Sequence, residues 1–219
     1  MSTLSLWHQD LGSFGKGLLI TLEITCLALA VSIAFGAVLA ACRMSKLAVL
    51  RGLATAYVEL MRATPVLILI FVAYYGLGQE GFKLDGFTTA WLGIGAFYAA
   101  LYCETFRGGV QSVPTGQWEA AQALGMGPLL KLRKIVLPQA FVAVLLPSTN
   151  NASYLLKDTS LVFFIPGVVD LMTASKLAAS QNLQYMSLYV FAGLFYFAIY
   201  LVMSQALGRW ESRVQRSRA

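Results

Sequence analysis

Five charged residues lie inside, or at the edge of, stretches of the sequence that are otherwise apolar. Glu59 and Arg62 are three residues apart, Glu104 and Arg107 repeat that spacing, and Asp158 follows a stretch without any charge. A charge at membrane depth costs a few kcal/mol or more unless it is paired or faces water. Residues three apart share a helix face, so each Glu–Arg pair is either an internal salt bridge or part of a polar cavity. The internal salt bridge is the expected arrangement for Glu104 and Arg107, whereas both arrangements stay open for Glu59 and Arg62.

Asp158, Thr159 and Ser160 follow a helix end that is rich in amides and hydroxyls, Pro147 to Ser153. Pro147 removes one backbone hydrogen bond and can kink this helix. Freed backbone groups and polar side chains are tolerated at membrane depth where they line a cavity. The alternative is that Lys157 and Asp158 simply end a helix at the outer surface. Tyr74, Tyr75, Tyr98 and Tyr102 are expected to be belt or packing residues.

Residues for metal or nucleotide chemistry are sparse. His8 is the only histidine, and Cys26, Cys42 and Cys103 lack the spacing of a metal site. A phosphate-binding P-loop needs G-x-x-x-x-G-K-[ST], but the Gly15–Lys16 pair is followed by glycine. We therefore expect no catalytic residue, no metal and no cofactor bound by this chain.

The composition indicates a membrane protein. Of the 219 residues, 58% are hydrophobic and only 12% are charged, about half the charged share of a soluble domain. A spanning helix needs about 20 mainly apolar residues. The sequence thus predicts one all-α membrane domain, 1–219, with five spans at about 17–42, 54–77, 87–106, 135–156 and 186–208.

The basic residues predict an orientation. Eleven Lys and Arg residues follow spans one, three and five, whereas four lie on the other side. Loops on the cytoplasmic side collect Lys and Arg, so the N-terminus should lie outside and the C-terminus in the cytoplasm. The same bias explains the net charge of +6 without a nucleic-acid partner. The long outer connection 157–185 could hold a short helix at the interface or one dipping into the protein, since Pro166 and Gly167 disfavour a continuous span.

The segment 117–134 is a charged, glycine-broken stretch on the predicted cytoplasmic side. Helix formers run from Trp118 to Leu124, Gly125 can end that helix, and Pro128 suits the first turn of another. Two short helices that meet at a glycine would form a compact knob without a pocket of its own. Such a knob is suited to docking a partner.

The residues that follow Glu119 also match a family. The pattern E-A-A, three residues, G, nine residues, I-x-L-P resembles the EAA loop of binding-protein-dependent ABC transporter permeases, which docks an ATP-binding subunit. Further stretches resemble the polar amino-acid subfamily, which serves histidine, arginine, glutamine, glutamate and opine-like solutes: E-L-M-R-A-T-P at 59–65, Y-C-E-T-F-R-G-G at 102–109, V-P-T-G-Q at 113–117 and L-K-D-T-S-L at 156–161. The chain departs from the family at Leu132 and in P-G-V-V-D at 166–170.

The resemblance implies a type I ABC importer permease fold with cytoplasmic coupling helices, placed in a bacterial inner membrane. It implies three kinds of protein partner: two copies of an ATP-binding subunit that holds ATP and magnesium, a second permease subunit that is identical or homologous, and an extracytoplasmic solute-binding protein. The coupling residues would be Glu119, Ala120, Ala121 and Gly125. Alternating access would move the solute.

The site residues expected for a polar amino acid are two carboxylates, an arginine and nearby polar groups. Asp158 could pair with a cationic group, and Glu59 is the expected direct contact of the first Glu–Arg pair. The full predicted set is Glu59, Arg62, Asn150, Asp158, Thr159 and Ser160. The alternative function is a self-sufficient channel or secondary transporter, which would need inverted repeats or more spans than five. A membrane-anchored scaffold would leave the intramembrane charges unexplained.

Overall fold

The computed structural model describes the backbone of residues 3–216, and the side chains of residues 11–210 and 212 except those of 182 and 207. The described chain is helical and has no strand. Two π-helical turns, Val72–Gly76 and Leu132–Val136, and one 3-10 helix, Thr159–Phe164, interrupt the α-helices. The α-helices are α1 (Thr3–Arg43), α2 (Ala48–Ala63), α3 (Val66–Phe71), α4 (Leu77–Gln79), α5 (Gly86–Gln111), α6 (Thr115–Ala123), α7 (Pro128–Lys131), α8 (Leu137–Asp158), α9 (Leu171–Asn182) and α10 (Tyr185–Arg216).

The central helix of the bundle is α5, which contacts α1, α2, α3 and α8. Glycine allows α1 to approach it closely: a Cβ on Gly36 would lie 2.7 Å from the Cβ of Tyr102. The hydroxyl of Ser32 on α1 donates to the carbonyl of Gly95 at 3.1 Å. Small residues that permit close packing, joined by interhelical hydrogen bonds, are a common means of helix association in membranes.

The predicted second span, 54–77, is a broken helix rather than a straight one. The helices Ala48–Ala63 and Val66–Gln79 meet at an angle of 108°. Pro65 disfavours the helical conformation of the residue before it, and Thr64 accordingly has an extended ψ of 132°. Val58 before the break packs in a cluster with Ala99, Ala100 and Cys103 of α5. Ile70 after it meets Gly93, so the break falls beside the middle of α5.

The eighth helix runs antiparallel to α5 and ends beside its middle. Asn151 Nδ2 donates to Thr105 Oγ1 at 3.0 Å, and the Tyr98 hydroxyl donates to Asp158 Oδ2 at 2.7 Å. Tyr98 lies halfway along Gly86–Gln111. Asp158 does end a helix, as one alternative supposed, but that end lies well inside the bundle.

The chain after Asp158 fills the space beside the first half of α5. Val162, Ile165 and Val168 are buried in the core that surrounds Tyr98. A Cβ on Gly86, at the start of α5, would lie 2.5 Å from the carbonyl oxygen of Pro166. Of the two arrangements considered for a short helix in the connection 157–185, this is the one in which it dips into the protein.

Asp170 and its neighbour Leu171 fix the start of α9 against α1 and α10. This fully buried carboxylate caps α9 by accepting from the backbone N–H of Thr173 at 2.9 Å, and it accepts from the Tyr196 hydroxyl at 3.3 Å. Thr21 Oγ1 on α1 accepts from the backbone N–H of Leu171 at 3.1 Å. Burial raises the pKa of Asp170 above its ordinary value, against the lowering effect of these hydrogen bonds. Asp170 therefore has a structural role within the departing segment 166–170.

By length and apolarity, two helical stretches of the described chain could cross a membrane, Leu11–Arg43 and Tyr185–Trp210, and the bent pair around Pro65 could be a third. The helix α8 falls outside this group, and it carries the polar run from Ser148 to Ser153. A helix with many amides and hydroxyls has a lower mean hydropathy. The count of five spans stays a prediction.

Candidate functional site: a mid-bundle carboxylate and an exposed knob

Asp158 lies deep in the bundle with a single side-chain hydrogen-bond partner. The Tyr98 hydroxyl, which is 2.7 Å away, occupies Oδ2, and Asp158 forms no salt bridge with any described side chain. Tyr98 itself is buried among apolar residues. Tyr98 thus does more than the packing expected of it from the sequence, because it positions the carboxylate. Among the described residues, no side chain donates to Oδ1 of Asp158, so this oxygen is available to a cationic group.

Lys157 is a second charge at the same depth, on an exposed face of α8. Its Nζ lies 4.5 Å from the ring centre of Tyr200 and 5.2 Å from that of Tyr154. It forms no salt bridge with a described side chain. Cation–π contacts of this kind hold an ammonium group without neutralising it. No binding role was predicted for Lys157. Its position three residues after Tyr154 could have indicated the cation–π contact between the two side chains.

The other predicted polar residues near Asp158 have different surroundings. Thr159 is fully buried, and its hydroxyl donates to the Leu156 carbonyl at 2.7 Å. The end of α8 therefore uses this hydroxyl as a local cap, which corrects the expectation that it faces a solute. Ser160 is half-buried, and Asn150 is exposed on the face of α8 that carries Lys157.

A cluster of four charged residues, here called the Arg43 cluster, joins the ends of α1, α2 and α5. The Arg43 guanidinium bonds to Glu104 and lies 3.8 Å from Glu59. Arg107 Nη2 donates to the other oxygen of Glu104 at 2.6 Å. The predicted pairing of Glu104 with Arg107 is therefore confirmed. The salt bridge that was one of two alternatives for Glu59 and Arg62 does not form, because the end of α1 brings Arg43 to Glu59 instead.

Glu59 and Asp158 do not share a pocket. Glu59 joins Arg43 beside Glu104, which lies six residues beyond Tyr98 on α5. Six residues of helix correspond to about 9 Å along the axis. Arg62 is exposed, forms no salt bridge among the described side chains, and precedes the break of the α2–α3 pair. The predicted residues thus lie at two levels: Asp158 beside the middle of α5, and Glu59 nearer to its end.

The segment Thr115–Lys131, here called the knob, has the predicted form of two short helices about a glycine. The first helix is Thr115–Ala123, and Pro128 occupies the first turn of the second. Gly125 has a φ of +68°, and its backbone N–H donates to the Gln122 carbonyl at 2.9 Å. A Cβ there would meet no neighbour within 4 Å. Glycine is therefore favoured at position 125 because the backbone has a positive φ there, and not because neighbouring atoms leave no room for a side chain.

The surface of the knob is polar at α6 and apolar around the turn. Glu119, Ala120 and Gly125 are exposed, whereas Ala121 is buried and holds α6 in place. Leu124 and Leu129 are 80% and 78% exposed. Large exposed apolar side chains beyond the bundle are typical of a protein-docking surface. No role was predicted for these leucines from the sequence. They lie on either side of the turn at Gly125 and close in sequence to the other predicted coupling residues.

The knob is joined to α5 and α8 by a small apolar cluster. Val113, Val136 and Ala140 are buried, and Trp118 and Leu132 pack against them. The π-helical turn Leu132–Val136 leads directly into α8. A displacement of the knob would therefore act on the helix that carries Asp158 at its other end.

This arrangement of a broken helix, a mid-bundle carboxylate and an exposed knob is that of an integral membrane transport component. A sequence model of the family described as "Binding-protein-dependent transport system inner membrane component" matches residues 32–216. The chain belongs to this family.

Similar proteins extend over nearly the whole chain. The "Probable glutamine ABC transporter permease protein GlnM" of Bacillus subtilis (strain 168) is 33% identical, over 97% of this chain and 98% of its own. The "Nopaline transport system permease protein NocQ" of Agrobacterium fabrum is 31% identical, over 96% and 94%. A crystal structure of an amino acid ABC transporter with histidines has a chain with TM-score 0.92 and 30% identity, over 97% and 99%. The MetNI methionine ABC transporter, 18% identical with TM-score 0.70, shares the fold.

Proposed function

We propose that this chain is the permease subunit of an ATP-driven importer that moves polar amino acids across the inner membrane by alternating access. The choice of solute is carried by the position of Asp158. This carboxylate lies beside the middle of the central helix α5 and has no salt bridge with a described side chain. It would receive the ammonium or cationic side chain of the solute. The similarity to permeases named for glutamine and nopaline supports the same class of solute.

The ATP-binding subunits, two in the complex, would dock on the knob through Glu119, Ala120 and Gly125, with Leu124 and Leu129 in the apolar part of the contact. A second permease subunit, identical or homologous, would face the exposed Asn150 and Lys157 across the solute path. An extracytoplasmic solute-binding protein would deliver the solute. In this assembly the N-terminus lies outside and the knob lies in the cytoplasm.

The function is tested by uptake into proteoliposomes that contain this chain with its ATPase, partner permease and binding protein. Radiolabelled arginine, histidine, glutamine and glutamate are offered with and without ATP. We expect uptake of at least one of them that needs both ATP and the binding protein. Uptake without ATP would instead favour a channel or secondary transporter, and would overturn the proposal.

Docking of the ATPase on the knob is tested by two matched pairs of substitutions. Gly125 and Gly127 are both exposed with open space around a Cβ, but only Gly125 has positive φ. Gly125→Ala costs about 1 kcal/mol or more in backbone strain, so it should reduce transport per ATP hydrolysed more than Gly127→Ala. Leu129→Asp should weaken ATPase copurification, whereas Leu183→Asp, at an equally exposed leucine outside the knob, should not. Equal effects within each pair would exclude docking through the knob.

A further inference from the structure

An apolar groove of about 440 Å³ opens between α1, α5 and the start of α8. All eleven side chains that line it are apolar; among them are Ala37 and Ala41 of α1, Met44 directly after α1, Phe106 of α5, Leu132 and Phe141. The small alanine side chains on α1 leave this space open. No solute role has been assigned to this groove.

The groove is unsuited to a polar solute. It offers no side-chain donor or acceptor to an ammonium or a carboxylate, and an unpaired polar group in such surroundings costs several kcal/mol. On α8 its residues, such as Phe141 and Val144, lie on a different face from the exposed Asn150 and Lys157. The groove is therefore separate from the proposed solute path.

The surface next to the groove is the apolar outer face of α1. Ile33, one turn before the lining residue Ala37, is 43% exposed, and Val38, three residues before the lining residue Ala41, is 56% exposed. An exposed apolar face of this kind on a membrane helix meets lipid. The groove continues that face, so acyl chains have direct access to it.

Basic residues border the groove at the end that carries the knob. Lys46 follows the lining residue Met44 by two positions, and Arg133 and Lys134 follow the lining residue Leu132 directly. All three are exposed, and none forms a salt bridge with a described side chain. Arg43, in contrast, is committed to Glu104. Lys and Arg side chains near a membrane surface attract anionic lipid headgroups.

We infer that the groove is a binding site for one anionic phospholipid. An acyl chain lies between α1 and α8, and the headgroup meets Lys46, Arg133 and Lys134. The occupant is placed in the leaflet on the side of the knob. The lipid fills the gap beside the apolar cluster that joins the knob to α8.

The site is tested by native mass spectrometry of the detergent-purified complex, with phosphatidylglycerol as the probe. Ala41→Phe fills the groove from an exposed position, and Val38→Phe adds the same ring beside it on the lipid-facing surface. We expect retained phosphatidylglycerol to fall at least fivefold in Ala41→Phe and to stay unchanged in Val38→Phe. Equal retention in both variants, or none in the unmodified complex, would overturn the site. A changed subunit stoichiometry in Ala41→Phe would make the occupant another protein chain and would overturn it too.

The headgroup is tested by Lys46→Gln combined with Arg133→Gln. The expected result is a loss of preference for phosphatidylglycerol over phosphatidylcholine of the same acyl chains, with total lipid retention largely kept. Lys83→Gln, an exposed lysine outside the groove, is the control and should keep the preference. An unchanged preference in the double variant would overturn the anionic assignment.

Discussion

The two groups of charged residues beside α5 differ in how fully their charges are compensated. In the Arg43 cluster, Glu104 contacts both Arg43 and Arg107. Six residues earlier on the same helix, Tyr98 gives Asp158 one neutral hydrogen bond and no salt bridge. A carboxylate that already contacts two cations has little uncompensated charge with which to bind a solute. A carboxylate with one neutral partner keeps its charge available, so the cluster has the character of a structural joint and Asp158 that of a binding site.

The largest expected effect is a loss of stability when the ion pairs of the Arg43 cluster are broken. Glu104→Gln leaves two arginines without their shared partner. Breaking a buried pair costs about 3–5 kcal/mol, and partial exposure of these side chains reduces the expected loss to about 2–3 kcal/mol. The thermal stability of the purified complex would measure it. Glu80→Gln, at an exposed carboxylate outside both the Arg43 cluster and the knob, is the control, and an equally stable Glu104→Gln complex would contradict the structural role.

Asp158→Asn should affect transport rather than assembly. The amide keeps the shape but removes the charge, and a charge-assisted hydrogen bond contributes about 1.5–3 kcal/mol. Apparent solute affinity should therefore fall by about tenfold or more. The measurement is uptake in proteoliposomes, with basal ATPase rate and subunit stoichiometry as checks.

Asp85→Asn is the matched control for that change. Asp85 is an exposed cap of α5, and the hydrogen bonds that it accepts from Thr88 lower the pKa of this carboxyl. Asparagine also caps helices, so transport should be unaffected. Loss of assembly in Asp158→Asn, in parallel with transport, would make Asp158 structural and remove the contrast with the Arg43 cluster.

Tyr98→Phe tests how much the hydrogen bond to Asp158 contributes to solute binding. The ring is kept in the core and only the hydroxyl is lost. A hydrogen bond contributes about 1 kcal/mol net, so we expect about fivefold weaker apparent affinity. Tyr102→Phe removes a hydroxyl one turn away that donates to the Ser148 carbonyl and serves as control. An effect of Tyr98→Phe on complex stability alone would assign the hydroxyl to packing.

The sequence predicted local features well because neighbouring residues determine them. The knob is an example: Gly125 and Pro128 have adjacent, strongly restricted backbone conformations, and the structure has the turn and the second helix where these residues place them. Glu104 and Arg107 are likewise three residues apart, which places them on the same face of α5, where they form a salt bridge.

Features that depend on distant residues were not predictable in this way. Glu59 pairs with Arg43, which is on another helix, and the pairing depends on where α1 ends against α5. The depth of Asp158 was left open between a cavity and the outer surface, because the sequence does not reveal that α8 stops beside Tyr98 while 159–168 folds back over it. Hydropathy alone also concealed the break at Pro65, since both halves of that stretch are apolar.

The smallest expected effect is at Glu59, the member of the Arg43 cluster that is least committed. Its side chain is 61% exposed and lies 3.8 Å from Arg43, and exposed pairs contribute about 0–1 kcal/mol. Glu59→Gln should therefore leave thermal stability nearly unchanged and weaken apparent affinity by less than about fivefold. Arg62→Gln, one turn along the same helix and unpaired, is the matched variant for uptake. If Glu59→Gln weakened affinity as much as Asp158→Asn while the complex stayed intact, the solute would be held at the level of the Arg43 cluster as well, and the contrast between the two groups would fail.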